Sequence, residues 1–157
     1  MNVIKKICSD FKANKGSGIL TKLIFVTYRM GKACPYRFVR LFITLFHKLF
    51  CLMVGCSVPY GCEIGKSVCF KHGFFGVFIS SGAKIGDDCI ILHHVTIGSQ
   101  YLDGKSSPTL KDGVQVGAGA VIIGNIEVAE LTKVSPNAFL NISTHPKSKI
   151  IAVSKEL

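Results

Sequence analysis

Apolar residues recur at six-residue steps over more than half of this chain, and that spacing restricts its fold more than any other feature. The anchors are Val58, Ile64 and Phe70, then Ile79, Ile85, Ile91 and Ile97, then Leu110, Val116, Ile122, Val128, Val134 and Leu140. Four residues beyond most anchors stands a small or β-branched residue, as at Cys62, Val68, Ala83, Cys89, Val95, Val114, Ala120, Thr132 and Ala138. Glycine often follows the anchor directly, at Gly65, Gly86, Gly98 and Gly117. An α-helix would need apolar spacing near 3.6, and an ordinary sheet would need strands parted by turn clusters. A sustained six-residue period is instead the mark of a parallel β-helix, in which three short faces make a coil of about 18 residues. Each coil covers the anchors of the one below, since a single coil cannot bury them. The expected fold class is therefore all-β, a hexapeptide-repeat β-helix over residues 58–143, with a helical segment at 1–57 and a tail at 144–157.

The repeat breaks twice. Phe70 to Ile79 holds three residues more than one step, an insertion near Gly73 to Gly76, and Ile97 to Leu110 holds a hexad plus an excursion through the loop 99–109. Loops carried on a rigid scaffold are where binding chemistry concentrates. His72 follows Phe70 by two and His93 follows Ile91 by two. Counting three hexads plus the insertion puts both anchors on one face, a coil apart, so His72 and His93 are expected to stack at one corner, pointing outward, with His94 beside them. Such a pair fits a general base with a polar neighbour, a metal site or solvated surface. Metal is disfavoured because the repeat brings no third ligand near.

The first 57 residues are electrostatically different. They carry ten Lys/Arg against Asp10 alone, a net +9 of the chain's +10. From Phe38 the residues Leu41, Phe42, Leu45, Phe46, Leu49, Phe50 and Met53 recur at three and four, with Arg37, Arg40, Thr44, His47, Lys48 and Cys51 on the opposite arc, which predicts an amphipathic helix. An earlier helix is expected around Ile19 to Met30, with a break at Gly31 to Pro35. The usual fate of such an apolar arc is to pack, here on the body of the protein or on a neighbouring subunit, and peripheral contact of residues 1–57 with an anionic membrane is the competing expectation. Arg40, His47 and Lys48 interrupt the run too early for a membrane span. Nucleic acid is not an expected partner, since no recognition motif accompanies the charge. Seven cysteines, odd in number and never in a CxxC pair, point to reduced thiols and a cytoplasmic location rather than a disulfide framework. Met1 to Ser9 lacks the apolar core of a signal peptide.

The stretch IGKSVCFKHGFFGVFISSGAKIGDDCIILHHVTIGS, followed by LKDGVQVGAGAVIIGNIEV, resembles the serine acetyltransferase group of hexapeptide acyltransferases over about residues 55–143. It is similar above all to the sugar-modifying branch of that group, such as the colanic acid biosynthesis acetyltransferase and capsule O-acetyltransferases. The resemblance implies a left-handed β-helix, a homotrimer able to pair into a hexamer, and acetyl-CoA as co-substrate in the cleft between neighbouring prisms. It also implies that His72, within KHG, is the general base that takes the acceptor's proton, with His93 as its catalytic neighbour. Gly98, Ser99, Ala118, Lys133 and Pro136 match cofactor-binding positions, Ala118 against the pantetheine arm and Lys133 toward phosphate. Three acid or base positions of the serine enzymes correspond here to Ser57, Lys71 and Ser107, which leaves Glu63, Asp103 or a backbone carbonyl to orient His72 across a subunit boundary. On these departures the acceptor is expected to be a sugar hydroxyl in cell-surface polysaccharide biosynthesis, at the inner membrane face. Serine O-acetylation for cysteine biosynthesis is the alternative, and a non-catalytic scaffold the second.

Overall fold

The computed structural model describes residues 2–101 and 106–152. Three helices lead: α1 (Val3–Ala13), α2 (Ile19–Ala33) and α3 (Arg37–Val54). Thirteen short strands follow and stack, all in parallel, into three sheets. The first face holds β1 (Glu63–Ile64), β4 (Lys84–Ile85), β7 (Thr109–Leu110) and β10 (Glu127–Val128). The second holds β2 (Cys69–Phe70), β5 (Ile90–Ile91), β8 (Gln115–Val116), β11 (Lys133–Val134) and β13 (Lys149–Ile150). The third holds β3 (Phe78–Ile79), β6 (Thr96–Gly98), β9 (Val121–Ile123) and β12 (Phe139–Leu140). This is the β-helix the spacing predicts. Every anchor from Val58 to Leu140 is at most 4% exposed, because each points into the prism and is roofed by the anchor of the next coil. The last strand pair, β11 with β13, carries the coil beyond residue 143.

The corners after the first and second faces have a common device. The third residue after an anchor adopts left-handed backbone, at Ser67, Asp88, His94, Leu131 and Asn137 as well as at Gly73, Gly113 and Gly119. Five of these eight are not glycine, so a search for glycine punctuation passes over them.

A solenoid has an open strand edge at each end, and unpaired edges invite association with other chains. Here the helices close the first coil with polar side chains. The Asn14 amide donates to the Asp10 and Val68 carbonyls (both 2.8 Å) and accepts from the Phe70 N–H at 2.8 Å. Arg29 donates to the carbonyls of Ile64 and Gly65 at 2.6 Å, and grips Asp10 through Nε (2.9 Å) and Nη2 (3.1 Å). Tyr28 donates to the Cys62 carbonyl at 2.7 Å, and His47 Nε2 lies 2.8 Å from the Val58 carbonyl. Asp10, Asn14, Arg29 and His47 are buried for this reason. Replacing Asn14 with alanine would leave the Val68 carbonyl and Phe70 N–H unpaired, at about 1–3 kcal/mol for each buried group. A lowered urea midpoint with an unchanged slope is the expected result.

The same capping reverses one expectation. The arc of α3 that meets the body carries His47 and Cys51 of the polar arc, with Val54 at its end, while Phe38, Leu41, Phe42, Leu45, Phe46 and Leu49 are exposed. The helix α1 is also new to the picture. Its only buried residue is Asp10, so it docks through a charge rather than an apolar stripe. Farther along, α2 runs through Gly31 to Ala33, past the break expected at Gly31, and the tight approach of Tyr60 there leaves no room for a side chain at 31.

Candidate active site

The strand register fixes the site. Phe70 pairs with Ile91, Ile91 with Val116, and Val116 with Val134. The residues two beyond these anchors are His72, His93, Ala118 and Pro136, so all four form one column along the corner between the second and third faces. The column is stitched by main-chain bonds, Gly119 N–H to the His93 carbonyl (3.1 Å) and Asn137 N–H to the Ala118 carbonyl (2.9 Å). Gly117 is required beside it, since a Cβ there would lie 2.4 Å from the Pro136 nitrogen.

The imidazoles of His72 and His93 meet edge to face with centroids 5.1 Å apart, and His93 meets His94 at 5.4 Å. His72 is exposed, whereas His93 is half-buried and its Nδ1, itself buried, has no hydrogen-bond partner. The inserted segment builds the wall behind them. Phe74 turns inward and stacks on Phe70 at 4.0 Å, and Phe25 of α2 packs on both rings at 5.8 and 5.1 Å. The Phe75 carbonyl accepts from the His94 N–H at 2.8 Å, and Gly76 leaves room for the His94 ring, which a Cβ would meet at 2.1 Å. The insertion is thus packed against α2, not projected into solvent.

On the third face lies a shallow groove of about 530 Å³, lined by Ser57, Ile79, Ser80, Gly98, Ser99 and Ile123 among others. Its volume is in the range of small-molecule sites, and its floor is aliphatic with hydroxyls at the rim. A Cβ at Gly98 would press on Ile123 at 3.3 Å, so glycine keeps the floor low. Ser80 bonds Ser107 at 2.8 Å and Ser57 bridges Phe78, which brings two of the three altered acid or base positions to this face. The third, Lys71, is exposed next to His72. Of the sequence-predicted cofactor positions, Ala118 and Pro136 stand in the histidine column, Gly98 and Ser99 line the groove, and Lys133 lies apart on the second face. Ser80 belongs to no motif and went unpredicted. Glu63 is on the first face, away from His72, and Asp103 lies outside the described residues. No metal-binding cluster occurs among the described residues. Burial pushes the Cys69 thiol up, against the pull of Lys71, so it is a poor nucleophile.

A parallel solenoid of six-residue repeats, with histidines stacked at one corner and a shallow groove on the third face, defines the hexapeptide-repeat class. No protein-family model matches the sequence. Among curated relatives, the serine acetyltransferase of Helicobacter pylori is 36% identical over 112 residues, 71% of this chain and 65% of that protein. The serine acetyltransferase of Mycobacterium tuberculosis is 35% identical over 103 residues, 65% of this chain but 44% of that protein. The chain therefore spans between a third and two thirds of the length of such relatives. Among solved structures, the soybean serine acetyltransferase apoenzyme superposes with a TM-score of 0.81 at 26% identity, covering 94% of this chain and 65% of that one. An Entamoeba histolytica serine acetyltransferase, solved with cysteine, gives 0.83 at 19% identity over 99% of this chain and 60% of that one. These likenesses relate the repeat domain to serine acetyltransferases, and its fold is the left-handed hexapeptide-repeat β-helix of those structures.

They also overturn the expectation of a polysaccharide O-acetyltransferase, because the matching relatives are serine acetyltransferases and the sugar-modifying branch finds no support. The physical reason is that Ser57 and Ser107 on the third face and Lys71 beside His72 change the charged groups of the site without specifying a sugar. Ser57, which lines the groove, still offers a hydroxyl hydrogen bond to a small polar ligand.

Proposed function

We propose that this protein transfers an acetyl group from acetyl-CoA to the hydroxyl of serine. The observation that carries the reading is the corner column, in which an exposed imidazole stands over a half-buried one beside a shallow groove, on a fold shared with serine acetyltransferases. One solved neighbour is a serine acetyltransferase in complex with CoA. Acetyl-CoA supplies an activated thioester, and the residues present suit it. Gly98 and Ser99 keep the groove open, Ala118 and Pro136 keep the column slim beside His72, and the exposed Lys133 ammonium faces outward to meet phosphate.

In this reading His72 takes the proton from the serine hydroxyl as its oxygen attacks the thioester carbonyl, and returns that proton to the departing thiolate. His93 holds the face of the corner against which His72 packs. The acting form is a trimer with acetyl-CoA between neighbouring prisms, working in the cytoplasm, where the seven cysteines, all free, stay reduced. Thiol release from acetyl-CoA tests the acceptor. It is expected to rise on addition of L-serine, and turnover that ignores serine but follows another hydroxyl compound would replace the acceptor while keeping the chemistry. Light scattering at the elution peak checks the trimer.

A further inference from the structure

The outward face of α3 has no cover in the fold. Phe38, Leu41, Phe42, Leu45, Phe46 and Leu49 are between 48% and 80% exposed, on a helix of 18 residues or about 27 Å. An isolated apolar residue on a surface needs no explanation, but a continuous stripe of this length marks an interaction surface. The helix cannot rotate to hide it, because its other arc is tied down: His47 holds Val58, and Thr27 lies 2.9 Å from His47 Nδ1. No helix among the described residues is long and apolar enough to cross a membrane.

Charge selects the occupant. Of the ten Lys/Arg in residues 1–57, only Arg29 is in an ion pair, and its partner Asp10 is the segment's single acid. The other nine have no ion pair among the described residues. Arg37 and Lys48 fall on one helical row with Leu41 and Leu52, separated by four, seven and four residues, so positive charge borders the apolar stripe itself. A second copy docked through this face would bring two such segments together, and like charges oppose that contact. An anionic leaflet offers the complementary sign and an apolar interior to receive the phenylalanines.

We infer that α3 lies flat in the surface of an anionic phospholipid bilayer, its phenylalanine and leucine side chains among the acyl chains and Arg37 and Lys48 at the headgroups. The inference stands apart from the acetyl-transfer reading, since none of these residues belongs to the corner or the groove.

Co-sedimentation of the full chain with phosphatidylcholine vesicles, with and without phosphatidylglycerol, tests it. Binding is expected only to the anionic vesicles and is expected to weaken as salt rises, because the headgroup attraction is screened. The double variant Leu45→Glu/Phe46→Glu, whose side chains touch solvent and not the core, is expected to lose about ten-fold or more in partitioning. Its melting curve and any acetyl transfer should match the parent. Lys48→Ser, as an independent variant, should reduce the anionic preference alone. Equal binding to both vesicle types, or binding unchanged by the glutamates, overturns the inference. So does failure to pellet with either vesicle, and an assembly that the glutamates dissociate would then assign the face to a second copy.

Discussion

Replacing His72 with alanine is expected to reduce acetyl transfer by about 10²–10⁴-fold, the usual worth of one positioned general base. The effect should fall on kcat, because His72 acts on the proton in flight and is not among the residues that line the groove. His72 is exposed, so the variant keeps its packing and its melting curve should be unaltered. Steady-state kinetics with matched thermal unfolding would check both halves. Full activity in a folded His72→Ala protein would remove the corner as the site of chemistry.

The second large effect is on stability. Arg29→Ala deprives Asp10 of its ion partner and leaves the Ile64 and Gly65 carbonyls without donors, in a place where Asp10 is fully buried and Arg29 is 5% exposed. Removing one member of a buried pair costs about 3–5 kcal/mol, since the remaining charge stays desolvated. The loss has a pH signature. Burial already pushes the Asp10 carboxyl above its ordinary 3.8, and the Arg29 hydrogen bond and charge oppose that rise. Without Arg29 the folded-state pKa climbs further. A carboxyl raised in the folded state favours the fold when protonated, so the variant's deficit is largest near neutrality and shrinks as pH falls toward that pKa. Urea midpoints of parent and variant at pH 5 and pH 7.5 would show the gap narrowing at the lower value. An unchanged gap would mean that the lost carbonyl bonds, not the stranded carboxylate, carry the cost.

The β-helix was legible because its side chains enter the core with a strict period, and a count of six finds all the anchors from Val58 to Leu140. The stacking of His72 on His93 was legible by the same count carried through an insertion. Ala118 and Pro136 entered through family likeness, although each also stands two beyond an anchor, and the register unites them with the histidines. What the spacing hid was everything held by polar contact. The helix α1 docks through Asp10 and α3 through His47, so hydrophobic periodicity misses the first and points the second the wrong way round. The groove's serines, Ser57, Ser80, Ser99 and Ser107, are scattered over fifty residues and meet only when the coils are stacked. The acceptor was misjudged for a related reason: three altered side chains say what has been removed from a pocket, not what now fills it.

The ring of side chains around the first coil has a consequence for the growth of the solenoid. Each coil is a template for the next, and a bare starting coil would accept the final coil of another molecule as readily as its own successor. Asn14, Arg29, Tyr28 and His47 occupy that rim, on carbonyls from Val58 to Val68. The helices thereby work as a terminator. They keep a shape that could extend into a fibre as a unit of about four turns, with one end permanently closed to polymerisation.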